Sequence, residues 1–438
     1  MKRTVVLMMM LLLLWQSACQ KGEQDRGSRT TVVFWHSFVS STIPAFNKLL
    51  QRFEDEHPDI HIKAQYIPSG DALIQKLITA IQSNTAPDIS WIHADYLEDL
   101  VTADAIYKMD AFIQGENGLS EEEMSDIYPS LKQLSSWRGT LYSLPMEATN
   151  LGLLYNKDHF RQAKLDPEKP PATWQELKDY ALKLTLDKDE DGTFDQLGFF
   201  VPIYPASGPL NGWMVWQWFP YLWQAGGHVI NPEQTRVLYN EPPGVKALTL
   251  WRDIYKALNL KTFTTDYDIA FAAGRVSMAM DGPWNLPRFN KMLKNMDWAI
   301  APLPQGPEMK ATVAGGEYLA IFKQTEVPDA AWTFVKWVIQ PEIQAFWSIE
   351  SGYLPIRSKV LEIPAYVTYL DENPNLKTYV LQLEHSKAPR PFDYYNMENT
   401  RAMAQAIEKA TLGDVDPKAA LDEAAVKINK LLKTVERN

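Results

Sequence analysis

The chain carries one cysteine, Cys19, in 438 residues. No intramolecular disulfide can form, and zinc or redox-metal sites built from Cys and His clusters of the required spacing are excluded. No block of Lys and Arg occurs, and 43 basic against 54 acidic residues leave a formal net charge of -11. That balance argues against a nucleic-acid partner, whose binding depends on clustered cations. It does not exclude a small anionic ligand, which needs only one or two local cations. A nucleophile elbow, a phosphate loop and a dinucleotide fingerprint are all missing. The apolar run from Val5 to Trp15 is too short to span a bilayer at ~1.5 Å per residue. What is present is ordinary for a soluble globular protein, 46% hydrophobic and 22% charged, with length enough for two or three domains with real cores.

Lys2 and Arg3 precede the Val5–Trp15 run, and Gln16-Ser17-Ala18-Cys19 follows it. This is the layout of an export signal. Small residues just before a cysteine resemble a bacterial lipoprotein cleavage box, which implies lipidation at Cys19; the alternative is ordinary cleavage that leaves a free thiol. Residues 1–19 are therefore read as a lipoprotein signal peptide. Gln20 to Arg29 is polar and without large apolar residues, so it is expected to be a flexible tether.

From Thr31 the pattern alternates between TVVFWH, a helix with Ile43, Phe46, Leu49, Leu50 and Phe53 at helical spacing, HIKAQYI, a helix over Ala72–Ile81, and DISWI. Strand and helix in this order predict an α/β fold with parallel pairing and right-handed crossovers. Ligand-facing loops then come after His36, Tyr66 and Trp91. His36 and Ser37 serve either a ligand or only a capped turn. Trp91 is in part strand core, and Asp88 either reaches a ligand or bonds a backbone amide. Trp137-Arg138-Gly139 reads as a turn, Asn150–Tyr155 as a strand that opens a second βα series, and Thr173-Trp174-Gln175-Glu176 as a capping box. The run from Asn399 to Leu432 is predicted to be helical, broken near Gly413–Pro417, and packed on the second lobe.

Phe271 to Pro287, FAAGRVSMAMDGPWNLP, compresses a helix end at Gly274, a short apolar strand over Val276–Met280, a turn at Asp281-Gly282-Pro283, and Trp284 behind it. An aromatic at the carboxyl end of such a strand is a wall of a site or a plug over the core. With VVFWHS at 32–37, APDISW at 86–91, SLPMEA at 143–148, AGGEYLAIF at 314–322, SGYLPIR at 351–357 and APRPFD at 388–393, this stretch resembles the extracellular solute-binding proteins of ABC transporters, carbohydrate type. The resemblance covers nearly the whole mature chain.

That resemblance implies a two-lobed periplasmic-binding-protein fold, with a hinge of crossing segments and a cleft between the lobes. Residues 30–144 and 288–347 are assigned to lobe 1, and 145–287 and 348–438 to lobe 2. Phe271–Pro287 is placed at an interlobe crossing, and Trp298–Leu303 as the strand that returns to the first lobe. The expected function is capture of a sugar or short oligosaccharide, with glycerol 3-phosphate or a glycerophosphodiester as the alternative ligand within the same family, and delivery to ABC permease subunits, by a monomer anchored through lipid in the cell envelope, in the periplasm or on the outer face of the membrane. Gly315 and Gly316 would let a ligand approach the backbone, with Glu317, Glu147 and Tyr353 near the cleft. Arg390 would clamp a phosphate, donate to sugar hydroxyls, or make a structural salt bridge.

Pro205–Trp223 is the most aromatic stretch, and Trp213, Trp216 and Trp223 share a helical face. Such a stripe is usually core, but here it follows a Gly/Pro-rich loop, and the flat C–H face of a sugar suits an indole. Trp213 or Trp216 is expected to face the cleft. A glycoside hydrolase is the enzyme alternative, with Glu147, Asp281 and Glu317 as its carboxyls; nothing pairs them as acid and base, so no catalytic residue is assigned. Asp187, Asp189, Asp191 and Asp195 fall in DKDEDGTFD, the first half of a calcium loop whose twelfth position is Gly198 instead of Glu. No cofactor is required; a structural calcium and a solvated turn are both open.

Overall fold

The computed structural model describes residues 29–68, 70–192, 194–208, 210–258, 266–389 and 396–435. The first lobe is built on β1 (Thr30–His36), α1 (Ile43–Glu56), β2 (Ile60–Tyr66), α2 (Gly70–Gln82) and β3 (Ile89–Ile92). β1 runs parallel to β2 and β3, from Thr30 opposite Ile60 to His36 opposite Tyr66. The alternation read from the sequence is thus borne out here. Two strands reached only later in the chain complete the sheet: β4 (Leu144–Pro145) and β9 (Tyr318–Ile321), with β9 antiparallel to both β3 and β4. The sheet order is β2-β1-β3-β9-β4. Phe34 and Phe38 on one face of the β1 line pack on Phe46 of α1.

The second lobe holds a three-stranded sheet of β5 (Gly152–Asn156) between β6 (Met278–Asp281) and β7 (Trp298–Ala301), with β5 antiparallel to both neighbours. β6 is therefore not the parallel strand expected from its apolar run, although all four of its residues are buried as expected. Parallel pairing along the Val276–Met280 run comes from the isolated bridges of Leu197 with Val276 and Phe200 with Ala279. Two lobe boundaries also move. Trp298–Ala301 pairs with β5, so it belongs to the second lobe and does not return the chain to the first. Phe289 packs on Phe271 and Trp298, which places the start of the 288–347 segment in the second lobe as well. Phe271–Pro287 likewise stays within that lobe and is not itself a crossing.

α3 (Trp174–Lys183), α4 (Asn211–Gln224) and α5 (Pro242–Ala257) cover the second lobe. α3 begins at the expected capping box: Thr173 Oγ1 accepts from Glu176 N at 3.2 Å, and Glu176 Oε2 accepts from Thr173 N at 3.1 Å. The later elements are β8 (Thr312–Val313), α6 (Pro328–Val338), α7 (Pro341–Ser351), α8 (Pro374–Leu381) and β10 (Ser386–Lys387). α6 and α7 pack on the first lobe, whereas α8 lies on β7 of the second, with Asn375 Oδ1 accepting from Ile300 N at 2.9 Å. α9 (Asn396–Thr411) and α10 (Pro417–Leu432) pack on α4 and α5, as the sequence pattern predicts, and Asp416 caps α10 through the amides of Lys418 and Ala419.

Candidate functional site

Three segments meet where the lobes join. In the middle runs 146–149, the continuation of β4. On one side Thr149 and Gly315 exchange both backbone hydrogen bonds at 2.9 Å, and Met146 N donates to Glu317 O at 2.8 Å. On the other, Ala148 and Leu354 exchange both bonds at 2.9 Å. The chain thus returns to the first lobe at AGGEY, later than expected. Tyr353–Arg357, assigned to the second lobe with 348–438, stays with the first, because Ile127 bridges Arg357 and Asp126 lies 3.9 Å from the Arg357 guanidinium. The glycines are needed for this close approach. A Cβ on Gly316, at φ +136°, would sit 2.1 Å from Glu147 O, and one on Gly315 would meet Thr149 Oγ1 at 2.6 Å and Trp216 Cζ2 at 2.9 Å.

That last contact ties the hinge to an aromatic wall. Trp213 and Trp216 occupy the first turns of α4, where their spacing of three puts both rings on one face. The rings stack at 5.1 Å and 19°, and Trp284 closes on them edge-on, 5.6 Å and 70° from Trp213. Trp216 Nε1 points at Ala314 O, 3.4 Å away. All three indoles are half-buried, while Trp218 and Trp223 further along α4 are buried in the core. The helical stripe therefore divides into an open N-terminal end and a closed remainder.

Trp284 is held by the turn before it. Asp281 Oδ1 accepts from Gly282 N at 2.7 Å and from Asn285 Nδ2 at 3.0 Å, and the Tyr267 hydroxyl bonds the same carboxyl. Any Cβ on Gly282 would fall 2.0 Å from the Trp284 ring, so glycine is required for the indole to fold back over the turn. Burial pushes the Asp281 carboxyl up to about 7 against these hydrogen bonds.

Several other expected ligand contacts lie elsewhere. His36 is buried among Phe34, Phe38, Phe46 and Tyr66, and burial lowers its imidazole to about 4, which keeps it neutral and in the core. Ser37 Oγ donates to Ile67 O at 2.9 Å and closes the turn after β1. Asp88 precedes β3, and its carboxylate takes Val33 N at 2.7 Å and the Thr325 hydroxyl at 2.5 Å. It is a structural anchor at the entry of the strand, away from the carboxyl end that faces the cleft. Trp91 is core, with its ring 4.5 Å from His93 and 6.2 Å from Phe38. Tyr353 is buried flat against Trp347, 6.2 Å apart at 9°. Glu147 is fully enclosed and accepts Trp347 Nε1 at 2.6 Å, and burial together with neighbouring Glu317 drives its carboxyl well above the ordinary carboxylate range.

Sequence reasoning passed over four residues that shape the site. Trp347 binds Glu147, Thr149 pairs with Gly315, and Tyr204 lies buried beside Trp213. Asn396 Nδ2 at the start of α9 donates to Asp95 Oδ1 of the first lobe at 3.0 Å. The first is one of fifteen tryptophans with nothing local to set it apart, and no local motif marks the others. In the acidic loop, Asp187, Asp189 and Asp195 bring one oxygen each within 4.8 Å of one another, and Asp191 is not part of the group. Gly198 cannot be the missing Glu, because a Cβ there would overlap Ala181 O at 1.8 Å. Arg390 and Cys19 lie outside the described residues.

Two α/β lobes joined where three segments zip together, with half-buried indoles beside the junction, have the architecture of a hinged binding protein. A family model described as bacterial extracellular solute-binding protein matches residues 40–345, and the chain belongs to that family. It is 26% identical over 428 residues to the sn-glycerol-3-phosphate-binding periplasmic protein UgpB of Escherichia coli strain K12, covering 93% of this chain and 94% of that one. Among solved structures, the cyclic alpha-maltosyl-1,6-maltose binding protein from Arthrobacter globiformis superposes with a TM-score of 0.80 at 27% identity, over 93% of this chain and 100% of the other. UgpB from Mycobacterium tuberculosis in complex with glycerophosphocholine matches with a TM-score of 0.76 at 21% identity, over 93% and 99%.

Proposed function

We propose that the protein captures a neutral sugar or short oligosaccharide between its lobes and hands it to the permease subunits of an ABC importer. The observation that carries this reading is the Trp213–Trp216–Trp284 wall beside Gly315 at the hinge. Its half-open indole faces offer the flat apolar surface that the C–H face of a pyranose fills. A three-carbon polyol phosphate needs far less of it. The maltosyl-maltose binder of Arthrobacter globiformis, similar over 93% of this chain, supports the sugar; the UgpB of Escherichia coli, similar over the same share, supports glycerol 3-phosphate as the second reading.

Hydrolysis is the least favoured use of the site, since Glu147 is sealed in the hinge and tied to Trp347, out of reach of a glycosidic bond. The envelope lipoprotein reading rests on Cys19 and the signal before it. No cofactor takes part in capture. Calcium at the Asp187, Asp189 and Asp195 oxygens would be structural, and Asp187 Oδ1, buried without a hydrogen-bond donor among the described residues, suits a cation; a melting temperature indifferent to calcium and to EGTA would leave the loop a solvated turn. The test of function is a thermal-shift screen against sugars, polyols and glycerol phosphodiesters, in which a true ligand at a hundredfold its dissociation constant adds ~2.7 kcal/mol of stability. Stabilisation by glycerol 3-phosphate and by no sugar would reverse the order of the two readings.

A further inference from the structure

Glu147 and Glu317 lie on two of the three zipped segments, and both are more than nine-tenths buried, at 0% and 8% exposure. Glu147 Oε2 accepts the Trp347 indole N–H at 2.6 Å. Glu147 Oε1 and Glu317 Oε2 are enclosed and find no donor among the described residues, and the backbone bonds of Met146 N to Glu317 O and between Thr149 and Gly315 set the two residues side by side on neighbouring segments. Two ionised carboxylates cannot stand in such contact away from water; the usual resolution is one proton shared between them. A single proton here supplies the missing donor for both orphaned oxygens.

Among the described residues, the elements packed around the pair bring no compensating charge. Trp347 of α7 gives one N–H, Phe38 and Thr42 from the turn between β1 and α1 are neutral, and the ionisable group facing the pair is Tyr353. Burial and the two glutamates push the Tyr353 hydroxyl well above its ordinary range, so it stays neutral.

We propose that Glu147 and Glu317 hold one proton in common and that this proton is a pH-sensitive catch on the hinge. When it leaves to solvent as pH rises, the pair goes from one negative charge to two. The repulsion then acts across the segments that Met146 N to Glu317 O and the Thr149–Gly315 pair zip together. Separating them loosens the floor against which Trp216 rests, and the closed arrangement loses ground to the open one. Burial and then Glu317 hold the Glu147 carboxyl well above its ordinary value, which sets the direction: the catch is fastened at low pH and released as pH rises. The coupling to closure rests on the hinged-capture reading above; the shared proton does not.

The test compares the wild-type chain with Glu147→Gln and Glu317→Gln, whose amides donate the hydrogen bond permanently and preserve shape. Infrared spectra at neutral pH should show a protonated-carboxyl C=O band in the wild type that either folded variant lacks. The Asp281 carboxyl contributes equally to all three and cancels in the difference. Solution scattering without ligand should give a radius of gyration that grows with pH in the wild type and is flat in the variants. An unchanged carboxyl band in both variants overturns the shared proton. Loss of the band with a radius indifferent to pH, or growing equally in all three proteins, overturns the catch while leaving the sugar-capture reading intact, since no ligand enters either measurement.

Discussion

The carboxyl ends of strands in the two lobes received the same kind of residue and used it in opposite ways. In the first lobe His36, Phe38 and Trp91 close over one another and over Phe46 and Trp347, so the strand ends are plugged. In the second lobe the turn after β6 folds the half-buried Trp284 back over Gly282, and α4 presents Trp213 and Trp216 to meet it. The difference lies in the connection that leaves each strand. After β1 the chain enters α1, whose Phe46 seals the aromatic ring set from below. After β6 it makes a tight Gly282-Pro283 turn that leaves no room for a sealing side chain. Aromatic content alone marks neither plug nor wall; the length and stiffness of that connection decide.

The largest expected effect breaks the plug. Trp91→Ala removes a buried indole from a closed cluster and should cost ~3–5 kcal/mol of unfolding free energy, measured by denaturant titration. Trp213→Ala removes a half-exposed ring and should cost clearly less. Equal losses at the two positions would show that the second-lobe indoles are core as well.

Next comes the wall itself. Trp284→Ala or Trp216→Ala should weaken sugar binding by ~1–3 kcal/mol while Trp91→Ala, if folded, acts mainly through stability. Calorimetric titration with the sugar that the thermal screen identifies reads this directly. Full affinity in both wall variants would remove the stacking assignment.

A smaller effect concerns the turn that aims Trp284. Asp281 is raised from its ordinary range to about 7 by burial, so the folded chain holds a proton that the unfolded chain gives up. Its contribution is complete below the ordinary carboxylate range and is lost as pH rises from there to about 7, with a slope of at most ~1.4 kcal/mol per pH unit. Asp281→Asn keeps an acceptor for the Gly282 amide and should flatten that slope in melting curves from pH 5 to 8. An unaltered slope would place the titration elsewhere.

Much of the fold was legible because it is written in local signals. The parallel β1, β2 and β3 follow from alternation, the start of α3 from Thr173 and Glu176, and the C-terminal pair of helices from their apolar faces. The site was half legible: Trp284 and the N-terminal part of α4 stand out by composition and by the turn chemistry around them. What could not be read is nonlocal. Nothing in WAIA tells β7 that its partner is β5, 142 residues from Trp298 to Asn156, and not the first-lobe sheet. Asp88 resembles a ligand contact until Thr325, far along the chain, is seen to donate to it. Glu147 and Glu317 each looked like a cleft carboxylate because each was judged alone, whereas their burial and their partnership arise only when the crossings zip together.

The smallest expected effect is close to none, and for that reason it discriminates well. If the wall takes a neutral sugar, binding is dominated by desolvated ring faces and hydroxyl hydrogen bonds, and affinity should change little between low and high salt. A glycerol phosphate held by a cation at a partly open cleft should instead weaken as added ions shorten the screening length from ~30 Å at 0.01 M to ~3 Å at 1 M. Arg390, which lies outside the described residues, is the cation the resemblance offers for that role. Titrating the wild-type chain and Arg390→Ala with a neutral sugar and with glycerol 3-phosphate at both salt concentrations gives four comparisons. Sugar affinity should be nearly indifferent to salt, and Arg390→Ala should reduce it only by the loss of a hydroxyl donor. Tight, salt-sensitive binding of glycerol 3-phosphate that disappears in Arg390→Ala, with no neutral sugar bound, would make the phosphate the ligand. The indole wall would then serve the first-lobe comparison as a plug left ajar, and not as a platform for a sugar.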